Sequence, residues 1–474
     1  MKKIYKKITV CICLVFVLTS CDNQLDKEPT DVIVESEVFA TVENAEQALS
    51  DGYYKLFESS VGMTHLIPDF SLPYVGVPDI TFYSDFYSGS LVATNSQVET
   101  IWRRYYEAIN VANVFIQQIP LFGQYDEGVE FQHIAEAKFL RAYSYWALLS
   151  FYGDKALIGN PEGLCVPLQL VPFNGAKLEP KDLKPRNTNA EVYAQIIQDL
   201  EEAIADLPDT HGNQVKTRAR ATKATAYAML SRVQLYRKDY QECVDASVQV
   251  LTNTSYALEQ GSLRNLFPLN VDGTVSNFNN EVIFGFPVSA NGGNFQFGTH
   301  GLFYYNRGIY AHSDFINAMD PNDKRRTELI FGGNPLNTTT NVNEKTTFKY
   351  NNPDQRDDIL VIRLAEVILN RAEALAQLNG VNSESVSLLN QIRERSGIAL
   401  VQESDFATKE ALLTALYNER YFETAFEGRG RFDFIRTGRP LRNPNLTDNQ
   451  KTFPIPQREI DVTGGVLVQN PGYN

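Results

Sequence analysis

The chain has 474 residues, 43% of them hydrophobic, with 43 Lys and Arg against 57 Asp and Glu for a net charge of −14. That is ample material for a large core, and the acidic balance disfavours nucleic acid as a partner, because a negative surface repels phosphate backbones. The 5 His form no i, i+4 pair and do not cluster with Cys, no Gly-rich loop runs into Lys-Ser/Thr, and no Gly-x-Ser-x-Gly elbow occurs, so neither metal nor cofactor is expected.

The first residues are read apart from the fold. Lys2, Lys3, Lys6 and Lys7 precede an apolar run, Ile8 to Leu18, that is too short to span a bilayer. Thr19, Ser20 and Cys21 follow, and Leu18-Thr-Ser-Cys21 resembles the lipobox of bacterial lipoproteins; the alternative is an ordinary signal peptide. Residues 1–20 are therefore expected to be removed, Cys21 to carry lipid, and 21–40 to act as a polar, acidic tether. Loss of the four lysines takes the net charge from −14 to −18. No later run is long enough to cross a bilayer, so the chain is expected to be anchored, not inserted. Cys165 and Cys243 then remain; Cys243 reads as a small buried hydrophobe, and a disulfide between the two stays open.

Residues 41–474 read as one domain. A helix begins at Thr41, its N-cap, and runs to about Glu58. Val61 to Asn95 has no helical period; it interleaves Phe70, Tyr74, Phe82, Tyr83, Phe86 and Tyr87 with Asp69, Asp79 and Asp85. Irregular stretches of that length inside a domain are often functional. Helical spacing resumes over Ser96–Gln118. In Ala135–Asp154, Phe139, Ala142, Tyr143, Trp146 and Leu149 share one face while Leu140, Ala147, Leu148 and Phe151 fill the rest. Such a helix must be buried on several sides, with Trp146 in the core. Gly153 is expected to end it in the left-handed conformation. Thr188–Leu207 is amphipathic and stops at Pro208. Thr222–Tyr236 with Tyr240–Thr252, and Glu366–Leu378 with Ser383–Ser396, are helix pairs that resemble degenerate tetratricopeptide units. Between them, Ser255–Asn352 is a second irregular insertion with β-like runs such as Val282–Phe286. A last helix is expected over Lys409–Glu427, and an extended segment from Phe453 to Asn474. The fold class is thus mainly α: a tetratricopeptide-like scaffold of helix pairs with two long, partly β insertions, at about 61–95 and 255–352.

Glu419, Glu423 and Glu427 are spaced by four amid Arg420, Arg429, Arg431 and Arg436. Acids surrounded by guanidinium groups stay ionised, which suits a structural network and not a general acid. Counting carboxylates alone does not exclude a glycosidase pair. The loop aromatics are the candidate binding residues, since a ring stacks on a sugar face while Asn, Asp and Arg bond the hydroxyls. From the first insertion these are Tyr74, Asp79, Tyr83, Asp85 and Tyr87. From the second they are Asn291, Asn294, Phe295, Tyr304 and Tyr305.

Several motifs in fixed order, nearly end to end, resemble the SusD/RagB family of Bacteroidetes outer-membrane lipoproteins. They are Cys21–Pro29, Trp102–Asn113, Ala135–Asp154, Asn189–Pro208, Ile362–Val367, Asn370–Ala374, Glu419–Arg436, Pro454–Pro456 and Gln469–Tyr473. The resemblance implies a surface lipoprotein that caps a SusC-like TonB-dependent transporter and captures oligosaccharide, or in some members peptide, without catalysis. Both Trp residues fall in scaffold motifs, so aromatic stacking here would come from Tyr and Phe.

Overall fold

The computed structural model describes residues 35–59, 66–76, 83–173, 182–267, 278–287, 309–332, 345–350 and 357–473. The signal segment, Cys21 and most of the tether lie outside them. The folded part starts before residue 41, because Phe39 is buried and meets Phe115 edge-on at 5.1 Å.

The helices are α1 (Val42–Ser59), α2 (Ser96–Phe122), α3 (Glu127–Tyr152), α4 (Asn189–Asp206), α5 (Lys223–Arg237), α6 (Tyr240–Leu251), α7 (Leu364–Asn379), α8 (Ser383–Arg395), α9 (Lys409–Glu423), α10 (Gly430–Arg436) and α11 (Gln457–Val462), with shorter turns between. Capping side chains place several starts: Asp126 accepts from Gly128 and Val129, and Thr188 forms a reciprocal box with Glu191. Around α3 lie α1, α2 and α4; α6 lies between α5 and α7, and α7 also packs on α8 and α9. The helix pairing is therefore the expected one.

From Ala135 to Tyr152 every residue of α3 except Lys138 is buried. Its two buried charges are matched across helices. Glu136 accepts both Arg220 Nε and Nη2 at 2.7 Å, and Arg141 clamps Asp199 at 2.8 and 2.7 Å. Trp146 sits in the core, edge-on to Phe432 and Tyr236 and 5.0 Å beneath the Arg232 guanidinium. Gly153 does end the helix, but not in the left-handed conformation: φ is −67° and ψ 120°. Glycine is required for a different reason. A Cβ there would lie 2.6 Å from Asn189 Oδ1 and 2.8 Å from the Leu149 carbonyl. The end of α3 touches the start of α4 too closely for a side chain.

Two more expectations are corrected. The last long helix stops at Glu423, not at Glu427; Phe426 takes φ 65°, and the turn carries Glu427 back into the protein. The segment after Phe453 is not extended throughout, since α11 forms within it. The cysteines are both buried and free, so no disulfide joins them.

Two small sheets carry the insertions. Strand β2 (Val282–Phe286) pairs antiparallel with β6 (Ile359–Arg363), and both are buried along their length. The other sheet has the order β1 (Val75–Gly76), β3 (Tyr310–Ala311), β5 (Lys345–Thr347), β4 (Ile330–Gly332). Gly76 faces Tyr310 and Val75 faces Ala311, and His312 N–H donates to the Tyr74 carbonyl at 2.8 Å. The first insertion is thereby stitched to the second.

Candidate functional site

The antiparallel register of β1 and β3 has a geometric result. The chain leaves the sheet at Gly76 and enters it at Ile309 at the same end. Five of the candidate binding residues, Asn291, Asn294, Phe295, Tyr304 and Tyr305, precede that entrance, and Asp79 follows that exit. All six lie outside the described residues.

The remaining four are distributed unequally. Tyr74 is corrected to a core residue. It is 1% exposed, its hydroxyl donates to Asp69 at 2.6 Å, and its ring packs on Phe315, Tyr421 and Phe426 at 5.0–5.4 Å. No face of it is open to a ligand. Tyr83 is half-buried against Phe70 at 5.1 Å. Asp85 sits in the short helix Ser84–Ser88 and accepts Asn95 Nδ2 at 3.0 Å, so one of its oxygens is already used to hold the loop. Tyr87 is the open one, at 36% exposure.

Tyr87 leads to a residue that sequence reasoning missed. The Arg442 guanidinium lies 4.1 Å from its ring centre and donates to its hydroxyl at 3.0 Å. Arg442 also bonds the Leu72 carbonyl at 3.1 Å, while its own N–H donates to the Ser71 carbonyl at 2.8 Å. Burial lowers the Arg442 pKa, and Tyr87, Tyr310 and Tyr421 around it oppose that shift. Its Nε is buried without an acceptor. Tyr310 was missed as well. A Cβ on Gly76 would overlap its ring, so the ring lies across the first insertion. A signal for it exists in the alternation Ile309-Tyr310-Ala311-His312: Ile309 and Ala311 are buried while Tyr310 and His312 are half-exposed, as in a strand with one face covered. The site so assembled is a half-buried arginine packed on Tyr87, with Tyr310 and Tyr421 near enough to act on its charge, beside the junction of the two insertions. It can stack a flat face and donate hydrogen bonds to oxygen.

The acidic cluster has no share in it. Glu419, Glu423 and Glu427 are buried. Glu427 accepts Lys349 at 2.6 Å, Arg363 at 2.7 and 3.0 Å and Arg429 at 3.0 Å. Glu423 takes Arg363 at 2.9 Å and Arg395, and Glu281 takes Arg363 at 2.6 Å and Arg395 at 2.9 Å. Burial pushes the Glu427 carboxyl up, but Arg363, Lys349 and Arg429 outweigh it and hold it at about 2; Glu423 is likewise held well below the usual range. Glu423 and Glu427 are thereby kept ionised near neutral pH. They tie β2, β6, α8 and α9 together.

Comparison with known proteins identifies the architecture. Residues 24–235 match the SusD-like family described as "Starch-binding associating with outer membrane", and residues 331–443 match the SusD family. SusD-like protein P2 of Formosa agariphila is 25% identical over 98% of this chain and 99% of its own length. A SusD superfamily protein of Bacteroides thetaiotaomicron superposes with a TM-score of 0.77 at 24% identity, covering 91% of this chain and all of that one. A laminarin-binding SusD-like protein superposes at 0.73 and 22% identity, over 92% of this chain. Among the described residues, no helix is long and apolar enough to cross a membrane. With two family matches in chain order, relatives aligned end to end and the same mostly helical fold, the chain belongs to the SusD/RagB family.

Proposed function

We propose that this protein is a cell-surface, lipid-anchored glycan-binding protein that captures oligosaccharide and delivers it to a SusC-like TonB-dependent transporter in the outer membrane. The observation that carries the binding step is Tyr87, partly exposed and packed on Arg442, close to the strand pair that joins the two irregular insertions. Aromatic faces beside a guanidinium suit a sugar ring: the rings cover its C–H face and the arginine bonds its hydroxyls. The laminarin-binding relative and the starch-binding description of the family both support a carbohydrate ligand. A binding role without catalysis is supported by the acid cluster, whose members are spent on ion pairs. Asp79, Asn291, Asn294, Phe295, Tyr304 and Tyr305 are proposed to complete the site from the two chain segments that leave the sheet together.

The test is calorimetric titration of the purified protein with a panel of oligosaccharides that includes laminarin and starch fragments. One ligand is expected to bind without forming shorter products. About 60 Å² of sugar face on one ring is worth roughly 1.5 kcal/mol, so Tyr87→Ala and Tyr310→Ala should each weaken binding about tenfold. Undiminished binding by both variants would move the site elsewhere, and shorter products that depend on a loop carboxylate would make the protein an enzyme.

A further inference from the structure

A second opening lies away from the Arg442 cluster and shares no residue with it. It is a groove of about 620 Å³ between α2, the segments around 167–173 and 182–184, and α11 with the residues after it. That size falls within the roughly 300–1,000 Å³ of small-molecule sites. Its walls are fixed from within. The Trp102 and Tyr106 rings pack tilted at 5.1 Å, and the Tyr106 hydroxyl donates to the Pro167 carbonyl at 2.7 Å. Asn110 pairs with the Phe173 backbone in both directions, at 2.7 and 3.2 Å. Buried Asn113 donates to the Gln169 and Val171 carbonyls at 2.9 and 3.3 Å.

On those held walls three large apolar side chains stay open: Val171 at 56%, Phe173 at 41% and Val462 at 50% exposure. Single exposed apolar residues need no explanation, but three on one groove do. The charges are also unusual for a chain of −14. Lys55, Arg103, Arg104 and Lys184 line the groove against Glu107, Asp182 and Glu459. Glu107 is already shared by Arg103 at 2.6 Å and Arg104 at 3.1 Å. Burial pushes the Glu459 carboxyl up, with Arg458 opposing and Glu99 adding. Among the described residues the groove thus carries four cations against three acids, opposite in sign to the protein as a whole.

We propose that this groove is a second binding site, for a small amphiphilic anion: an apolar ring or chain that bears one acidic group. An apolar body covers Val171, Phe173 and Val462 at no polar cost, whereas a sugar would press hydroxyls against Val171 and Val462, which cannot bond them. The acidic group meets the cationic excess.

The test titrates the full mature protein with two probes of one ring system, anilinonaphthalene sulfonate and the uncharged N-phenylnaphthylamine, followed by fluorescence. The sulfonate should fill a single site about tenfold more tightly than its neutral analogue, and lose that preference in high salt. Val462→Glu, at an exposed position, and Arg103→Gln, at a partly exposed one, should each weaken the sulfonate severalfold with little change in the melting curve. Both variants should bind oligosaccharide as the wild type does, so loss of this site and failure of the glycan reading give different results. Equal affinity for the two probes, wild-type binding by Val462→Glu, or displacement of the probe by a neutral oligosaccharide would overturn the proposal.

Discussion

Replacing Glu427 by glutamine isolates what the buried ionic network contributes. The two side chains have the same shape, so no cavity opens. What changes is charge: one negative group disappears from among Lys349, Arg363 and Arg429, and one acceptor becomes a donor aimed at cations. Deleting one partner of a buried pair costs about 3–5 kcal/mol, because the other charge is left uncompensated. Arg363 keeps Glu281 and Glu423, which argues for the lower end, about 3 kcal/mol. The control is Glu202→Gln, which breaks the partly exposed Lys138–Glu202 pair at 2.7 Å and should cost only about 0–1 kcal/mol. Urea unfolding of both variants at neutral pH gives the comparison. A pH series adds a second arm. The Glu427 carboxyl is held at about 2 against an ordinary 4.5, so its contribution is fully present above 4.5 and is lost as pH falls through about 2. Wild-type stability should therefore drop more steeply across that window than that of Glu427→Gln. The reasoning fails if Glu427→Gln destabilises no more than Glu202→Gln.

Trp146→Ala should destabilise by about 3–5 kcal/mol as a core truncation, read from the shift of the unfolding midpoint; a wild-type midpoint would remove Trp146 from the core. Gly153→Ala should cost about 1–3 kcal/mol, because its Cβ meets the fixed Leu149 carbonyl, and thermal melts check it. Cys21→Ala should abolish palmitate labelling and leave the protein soluble in cells, since one residue is expected to supply the anchor; continued labelling would show that the lipid is elsewhere.

The helical scaffold was legible because its information is local. Spacing in Ala135–Asp154 and Thr188–Leu207 and the caps at Thr188 and Thr222 say where helices run without reference to the rest of the chain. The charge spacing of Glu419, Glu423 and Glu427 showed an ion network, but not its other half. Glu281, Arg363 and Arg395 come from distant segments with no spacing rule to connect them. The same limit explains Tyr74. Its hydroxyl and ring are captured by Asp69 close by, but also by Phe315, Tyr421 and Phe426 far along the chain, and an aromatic in a loop carries no mark of that. Arg442 escaped notice because it lies in neither insertion. It becomes part of the site only by bonding back across 355 positions to Tyr87. The left-handed end expected at Gly153 rested on glycine's usual role, whereas here the absent side chain matters for clearance from Asn189.

The strand pair that joins the insertions has a consequence for how such a protein could acquire a new ligand. The chain leaves β1 after Gly76 and enters β3 before Tyr310 at the same end of one two-residue ladder, so the segment that follows the one and the segment that precedes the other share an anchor. The ion-paired frame draws on Glu281, Arg363, Arg395 and Glu423, none of which belongs to that ladder. Transplanting both segments together, with β1 and β3 as the splice points, should transfer recognition to a related frame, while moving one alone should transfer nothing.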